Sequence, residues 1–273
     1  MRIQVTLTVN ESKRIIAKGI AKLPSVQEAL RSGKIFLKGG TTVSAVCEEL
    51  LGKPLHISGR IVPKGTKTAH VYSGKFHCVL IEHGELLDVD DSLEQAIESL
   101  KAEDVAIMGA NAIDPFGNAA LMYGAFLGAK PGRVISGLMA EITNINIAAG
   151  MEKLVPGPIS EAILKAGRKN VDLSMGMAVG LTPIVGQIVT EKDAILLLGE
   201  VNCTVIGRGG ILGAEGGTTM IVEGDQPEVE KVFQIISSVK GAEVSGLQES
   251  LPECMPPHEK CKLHRACLYK KAK

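Results

Sequence analysis

Lys38-Gly39-Gly40-Thr41-Thr42-Val43-Ser44 sets a cation, two glycines and three hydroxyls in one short stretch. If a helix opens at Thr41, its first backbone N–H groups lack helical partners and carry the positive end of the helix dipole. Glycines let a ligand come up against the backbone, and the hydroxyls add donors. Such a turn suits phosphate or carboxylate, with Lys38, Gly39, Gly40, Thr41, Thr42 and Ser44 as the binding residues. It is neither the G-x-x-x-x-G-K-[ST] loop nor the G-x-G-x-x-G turn of nucleotide sites. The flanking charge agrees. Residues 50–81 carry Lys53, Arg60, Lys64, Lys67 and Lys75 with no Asp or Glu, and residues 82–104 then carry nine acids and one lysine. A positive field of that kind favours an anion. A plain turn, with Gly-Gly reversing the chain and threonine capping the helix, would use the same residues.

Three further groups could do chemistry. Residues 104–108 read as a buried strand ending in the loop 109–118, where Gly109, Asn111 and Asn118 could meet a ligand. Asp114 is the acid of that loop able to exchange a proton, since amide side chains cannot act as bases near neutral pH; the same Asp before Pro115 could simply start a turn. The tail holds Cys254, His258, Cys261, His264 and Cys267 within fourteen residues. Thiolates and imidazoles suit zinc, with an iron–sulfur cluster as the alternative. No C-x-x-C pair is present, and a basic, solvated tail is the competing reading. Finally, Gly207, Gly209, Gly210, Gly213, Gly216 and Gly217 line a segment with Arg208. It could wrap an anion, serve as a flexible hairpin, or lie where two subunits pair.

The elements that must position these residues follow from periodicity. Residues 3–8 alternate as a strand, and Ile15, Ile16, Ile20 and Leu23 recur at helical spacing. The strand 34–38, the glycine turn and a helix over 41–51 begin an α/β crossover. Short strands are expected near 55–58, 68–73 and 76–82, with His83-Gly84-Glu85 as a hairpin tip. A strand near 145–149 and a helix from Ser160 to about Arg168 follow. Alternation of this kind predicts a parallel sheet with helices on both faces. The later part predicts strands at 194–198, 204–206, 218–223 and 242–245 and a helix over 227–239. The expected organisation is an α/β domain over 1–180, a smaller α+β domain over 190–248 and a Cys/His-rich basic tail over 249–273.

Composition bounds the function. Thirty basic and thirty acidic residues cancel, which argues against a general nucleic-acid binder. Aromatics at 3% leave little for a base-stacking surface. The start of the chain does not read as a secretory signal, and no run is apolar enough for a membrane helix. A cytoplasmic protein with reduced thiols is expected, in which Cys47, Cys78 and Cys203 are small buried residues. The glycine-rich second part makes a homo-oligomer the expected assembly.

The order of strand IFLKGG, helix TTVSAVCEEL and later DVAIMGANAIDPFGN resembles a superfamily. It contains ribose-5-phosphate isomerases, glucosamine-6-phosphate deaminases, DeoR-type sugar-phosphate sensors and coenzyme A transferases. The resemblance covers about residues 10–160, and AAGMEKLVP at 148–156 is similar to a stretch in lactate-utilisation relatives. It implies a phosphate grip at the first turn and polar groups on the loop after the second strand. Met108 and Asn111 stand where the isomerases carry acids. A transferase would need a glutamate nucleophile, for which Glu141 and Glu152 are present but not singled out by spacing; both read as surface or salt-bridged residues. The function implied is binding of a small phosphorylated or carboxylated metabolite, with an isomerase- or transferase-like reaction. The alternative is a non-catalytic ligand sensor or assembly module with a metal-binding tail.

Overall fold

The structure, a computed structural model, describes residues 1–67, 75–142, 144–253 and 259–271. The first third runs β1 (Arg2–Leu7), α1 (Val9–Ala21), α2 (Pro24–Ser32), β2 (Lys34–Lys38), α3 (Thr41–Leu51), β3 (Arg60–Val62), β4 (Gly65–Lys67), β5 (Cys78–Glu82), β6 (Glu85–Asp88) and α4 (Leu93–Glu98). Next come β7 (Val105–Gly109), β8 (Ala112–Ile113), β9 (Ala119–Tyr123), α5 (Ala129–Arg133), α6 (Ile135–Glu141), β10 (Ile145–Ala148) and α7 (Ile159–Lys165). The chain closes with β11 (Gly180–Ile184), β12 (Gln187–Val189), α8 (Glu191–Leu198), β13 (Val201–Gly209), β14 (Gly217–Gly224) and α9 (Gln226–Ser238).

Local chemistry sets these bounds. At the head of α1 the Thr8 hydroxyl accepts the Glu11 N–H and the Glu11 carboxylate accepts the Thr8 N–H. Pro24 starts α2, where a missing N–H costs nothing. Gly52, left-handed at φ 69°, ends α3. His83 and Gly84, at φ 51° and 77°, form the two-residue turn joining β5 to β6.

The larger sheet has the order β12-β10-β7-β2-β5-β6. Its first four strands are parallel, β5 runs antiparallel to β2, and β6 runs antiparallel to β5. The sheet is therefore mixed, and the two-residue turn after β5 requires β6 to run antiparallel to it. Ile35, Leu37, Val105, Ile107 and Ala148 join one apolar cluster with α1, α3 and α8 residues such as Ile16, Val46 and Ile195. The alternate residues Phe36, Ala106, Met108, Ile145 and Ile147 join another with Leu93 and Ile97 of α4 and Leu138 of α6. Strands buried on both sides read as continuous apolar runs.

A second sheet, ordered β1-β14-β13, is antiparallel and takes its edge strand β1 from the start of the chain. Smaller sheets, β11-β9-β8 and β3-β4, complete the fold. Three strand expectations are corrected. Residues 194–198 belong to the helix α8, opened by a reciprocal Thr190–Asp193 cap. Residues 242–245 are not a strand, nor are 55–58. The expected strand at 68–73 falls outside the described residues. No helix among the described residues is long and apolar enough to cross a membrane.

Candidate functional site at the strand ends

Four parallel strands end side by side. Lys38 is level with Met108 across β2 and β7, Gly109 with Ala148, and Ala148 with Val189. Carboxyl ends of parallel strands are where such sheets place ligands.

The Lys38–Thr42 turn sits at one of them. Gly39 donates its N–H to the His77 carbonyl at 2.8 Å, and a Cβ on Gly39 would lie 2.0 Å from that same oxygen. Gly40 faces open space, with nothing within 4 Å of where a Cβ would stand. The first helical bond of α3 runs from the Ser44 N–H to the Gly40 carbonyl at 2.7 Å. Hence the N–H groups of Gly40, Thr41, Thr42 and Val43 have no acceptor among the described residues, and no side chain caps the helix. Thr42 is buried, yet its hydroxyl has no partner among the described residues. Lys38 is half-buried and likewise has no hydrogen bond or ion pair there; burial lowers its pKa, and the neighbouring Cys78 opposes this. Ser44 is placed differently. Its oxygen accepts the Leu55 N–H at 2.9 Å and lies 2.7 Å from the Ser245 hydroxyl, so it ties the helix to two later segments.

Behind the turn stands a pair that sequence reasoning missed. His77 Nδ1 is 3.0 Å from Asp90 Oδ2, and Asp90 also accepts the N–H groups of His77 and Cys78. Burial pushes the Asp90 pKa up, but the bonds from the His77 ring and from these two N–H groups outweigh it and hold it below the ordinary value. His56 stacks on His77 with ring centroids 5.3 Å apart. Its Nδ1 meets the Lys75 carbonyl and its Nε2 lies 3.2 Å from Glu249. The Cys78 thiol is pushed up to about 11, chiefly by burial, so it stays protonated at neutral pH.

The loop after β7 is built around Asp114. Its carboxylate accepts the N–H groups of Phe116 and Asn118, the Asn118 amide and the Ile159 N–H, at 2.9–3.2 Å. Burial raises its pKa, yet these bonds bring it down to about 2. A carboxylate so occupied is a weak proton acceptor, and the bonds make it a loop anchor. Asn118 is spent on Asp114, and Asn111 accepts the Met122 N–H at 2.9 Å. Gly109 remains at the strand end, where a Cβ would lie 3.7 Å from the Ala148 carbonyl oxygen. Asp114→Ala is expected to cost about 2 kcal/mol, because the Ile159 N–H is left buried and unpaired while exposed Phe116 and Asn118 turn to water. Urea unfolding of the variant checks it; an unchanged midpoint refutes the anchoring role.

A further charged group gathers where β10 and β12 end. Glu191, at the head of α8, accepts the Met151 N–H at 2.9 Å and the Thr218 hydroxyl at 2.7 Å, and burial raises its pKa. Glu152 and Lys153 follow in the turn it pins, with Glu152 Oε1 3.9 Å from Lys153 Nζ.

In the tail, Cys261, His264 and Cys267 are buried, and Cys267 bridges Ser174 in a short β-contact. Lys67, from the expected basic stretch, is buried with its ammonium 4.5 Å from the Tyr269 ring centre. Cys254 and His258 lie outside the described residues. Among the described residues no three His, Cys, Asp or Glu side chains are grouped to hold a metal ion. Among known proteins, no family model, no curated protein and no solved structure matches this chain.

Proposed function

We propose that the chain binds a small phosphorylated or carboxylated metabolite at the Lys38–Thr42 turn and carries out isomerase- or transferase-like chemistry on it. The observation that carries this reading is the combination at one turn of a lysine without a described partner, four N–H groups without acceptors and an open Gly40. Together they supply charge, donors and room. Met108 and Gly109 place the second loop one strand away, and His77, held by Asp90, takes the proton-exchanging role first expected of Asp114. The strand, glycine turn and helix order supports kinship with sugar-phosphate isomerases and their relatives, and a parallel core with helices on both faces goes with that kinship.

A thermal-shift panel of sugar phosphates, keto acids and coenzyme A thioesters tests the reading. A ligand at about 100 times its Kd stabilises by about 2.7 kcal/mol, raising Tm by roughly 5 °C or more. Lys38→Met should abolish the shift without lowering the ligand-free Tm. A panel without any shift, or a shift that survives Lys38→Met, ends the proposal.

One surface favours a second role in assembly. Ile206, Ile211 and Leu212 are exposed around the glycine-rich hairpin between β13 and β14, Leu212 by 94%. Homo-oligomerisation through this hairpin predicts that Leu212→Asp lowers the sedimentation coefficient; an unchanged value refutes it.

A further inference from the structure

β13 is hydrogen-bonded along one side only. In the sheet β1-β14-β13 it pairs with β14, and no strand lies on its other side among the described residues. Exposed sheet edges invite pairing with another chain, and proteins guard them with charge, proline or shortness. The other edges follow that rule. β6 carries an acid at each end, and β12 has three residues. β1 has one charged side chain, Arg2, already paired with Glu223. β13 has nine residues, VNCTVIGRG, with no proline and a single charge, Arg208, near its end. Asn202, Thr204, Ile206 and Arg208 are exposed along it. The register with β14 shifts between Val205 and Gly207, which makes Ile206 a bulged residue.

The two ends of this edge are opposite in charge. At its start lies a cleft of about 480 Å³, whose lining includes Leu196, Leu197, Glu200, Asn202, Glu228 and Lys231. Leu196 and Leu197 belong to the last turn of α8, the negative end of that helix's dipole. Glu228 accepts the Glu200 N–H at 3.0 Å and the Lys231 ammonium at 3.1 Å. The Glu200 carboxylate is exposed, with no partner among the described residues. Arg208, at the other end, is likewise exposed and without a partner there. An edge acidic at one end and basic at the other is complementary to a copy of itself laid antiparallel. We propose that two copies of the chain join through β13, antiparallel about a two-fold axis near Thr204, into one six-stranded sheet. This rests on the assembly reading of the β13–β14 hairpin and supplies its register. Pairing about Thr204 sets Glu200 opposite Arg208 of the second copy. Counting Ile206 as bulged moves that guanidinium one residue on, to Val201, and both positions line the cleft. There it meets two acids and one lysine at a helix C-terminus.

Sedimentation equilibrium of the full chain and its charge variants tests this. Arg208→Glu and Glu200→Arg should each raise the dimer dissociation constant at least about tenfold, because two symmetry-related attractions become repulsions. The double variant, Arg208→Glu with Glu200→Arg, should regain most of the wild-type affinity, since the pair is merely exchanged. Neither side chain has a partner among the described residues of its own chain, so a role inside one subunit would not give that rescue. Thr204→Cys should form an intersubunit disulfide in air beyond any seen in wild type, since Thr204 meets its own counterpart at the axis. A chain that stays monomeric overturns both this inference and the hairpin reading. A dimer that Leu212→Asp dissociates but Arg208→Glu leaves intact overturns this inference alone. So does a double variant no tighter than the single ones, or a Thr204→Cys chain that does not cross-link.

Discussion

Gly39→Ala is expected to cost about 4 kcal/mol or more of folding stability, whereas Gly40→Ala, one residue on, leaves stability within about 1 kcal/mol. The contrast is steric. A methyl on Gly39 would sit 2.0 Å from the His77 carbonyl oxygen, an atom of the backbone that no rotamer change can move. That carbonyl also accepts the Gly39 N–H at 2.8 Å, and Lys38 pairs with Cys78 next to it, so the clash pries apart the ends of β2 and β5. His77 would be displaced with them. Gly40 has nothing within 4 Å of its methyl position, and its φ of 178° is extended backbone open to any residue. Its replacement should act on the ligand alone, by filling the space a phosphate or carboxylate needs. Urea unfolding and the thermal-shift panel, run on both variants, separate the effects. Equal stability loss in the two variants would contradict the packing described for this turn.

The His77–Asp90 pair is legible in the sequence by a step that local patterning does not take. The hairpin tip at His83-Gly84 is evident, and a two-residue turn fixes the register of its strands. Val79 faces Asp88 in that register, and two further steps bring His77 opposite Asp90. Neither residue belongs to a glycine cluster or to a motif spacing, so residue patterning passes over the pair. The Glu191 carboxylate carries no such signal. Its donors, the Met151 N–H and the Thr218 hydroxyl, come from distant parts of the chain, and only tertiary packing brings them together. The run Ala194-Ile195-Leu196-Leu197-Leu198 has no period to separate strand from helix, and the deciding feature is the Thr190–Asp193 cap before it. Ser44 and Asp114 show a different limit. Residue type and spacing reveal which side chains can bind a ligand, but not whether the fold has already occupied them. Leu55, Ser245, Ile159 and Asn118 claim these two groups, and the first three stand outside the motifs that single them out.

Asp90→Ala is expected to cost about 3 kcal/mol at pH 7, lowering Tm by roughly 6 °C or more. The carboxylate is 7% exposed and holds the N–H groups of His77 and Cys78 together with the His77 ring nitrogen. Removing it leaves those donors buried without acceptors at the point where β5 begins. Asp90→Asn should fall between, since its one oxygen can still take the Cys78 N–H while its amide confronts the donors of His77. The pH dependence has a fixed sign. The folded pKa of Asp90 lies below the ordinary 3.8, so its contribution is complete above 3.8 and disappears as pH falls through the lower folded value. Wild type and Asp90→Ala should thus differ fully at pH 7 and at pH 5, and converge as the solution is acidified through that lower folded value. Chemical denaturation at these pH values measures the gap. A gap that persists undiminished at the lowest pH would mean that Asp90 acts through shape alone. His77 would then owe its position to the backbone of β5, and the proton-exchanging role proposed for it would lose its structural support.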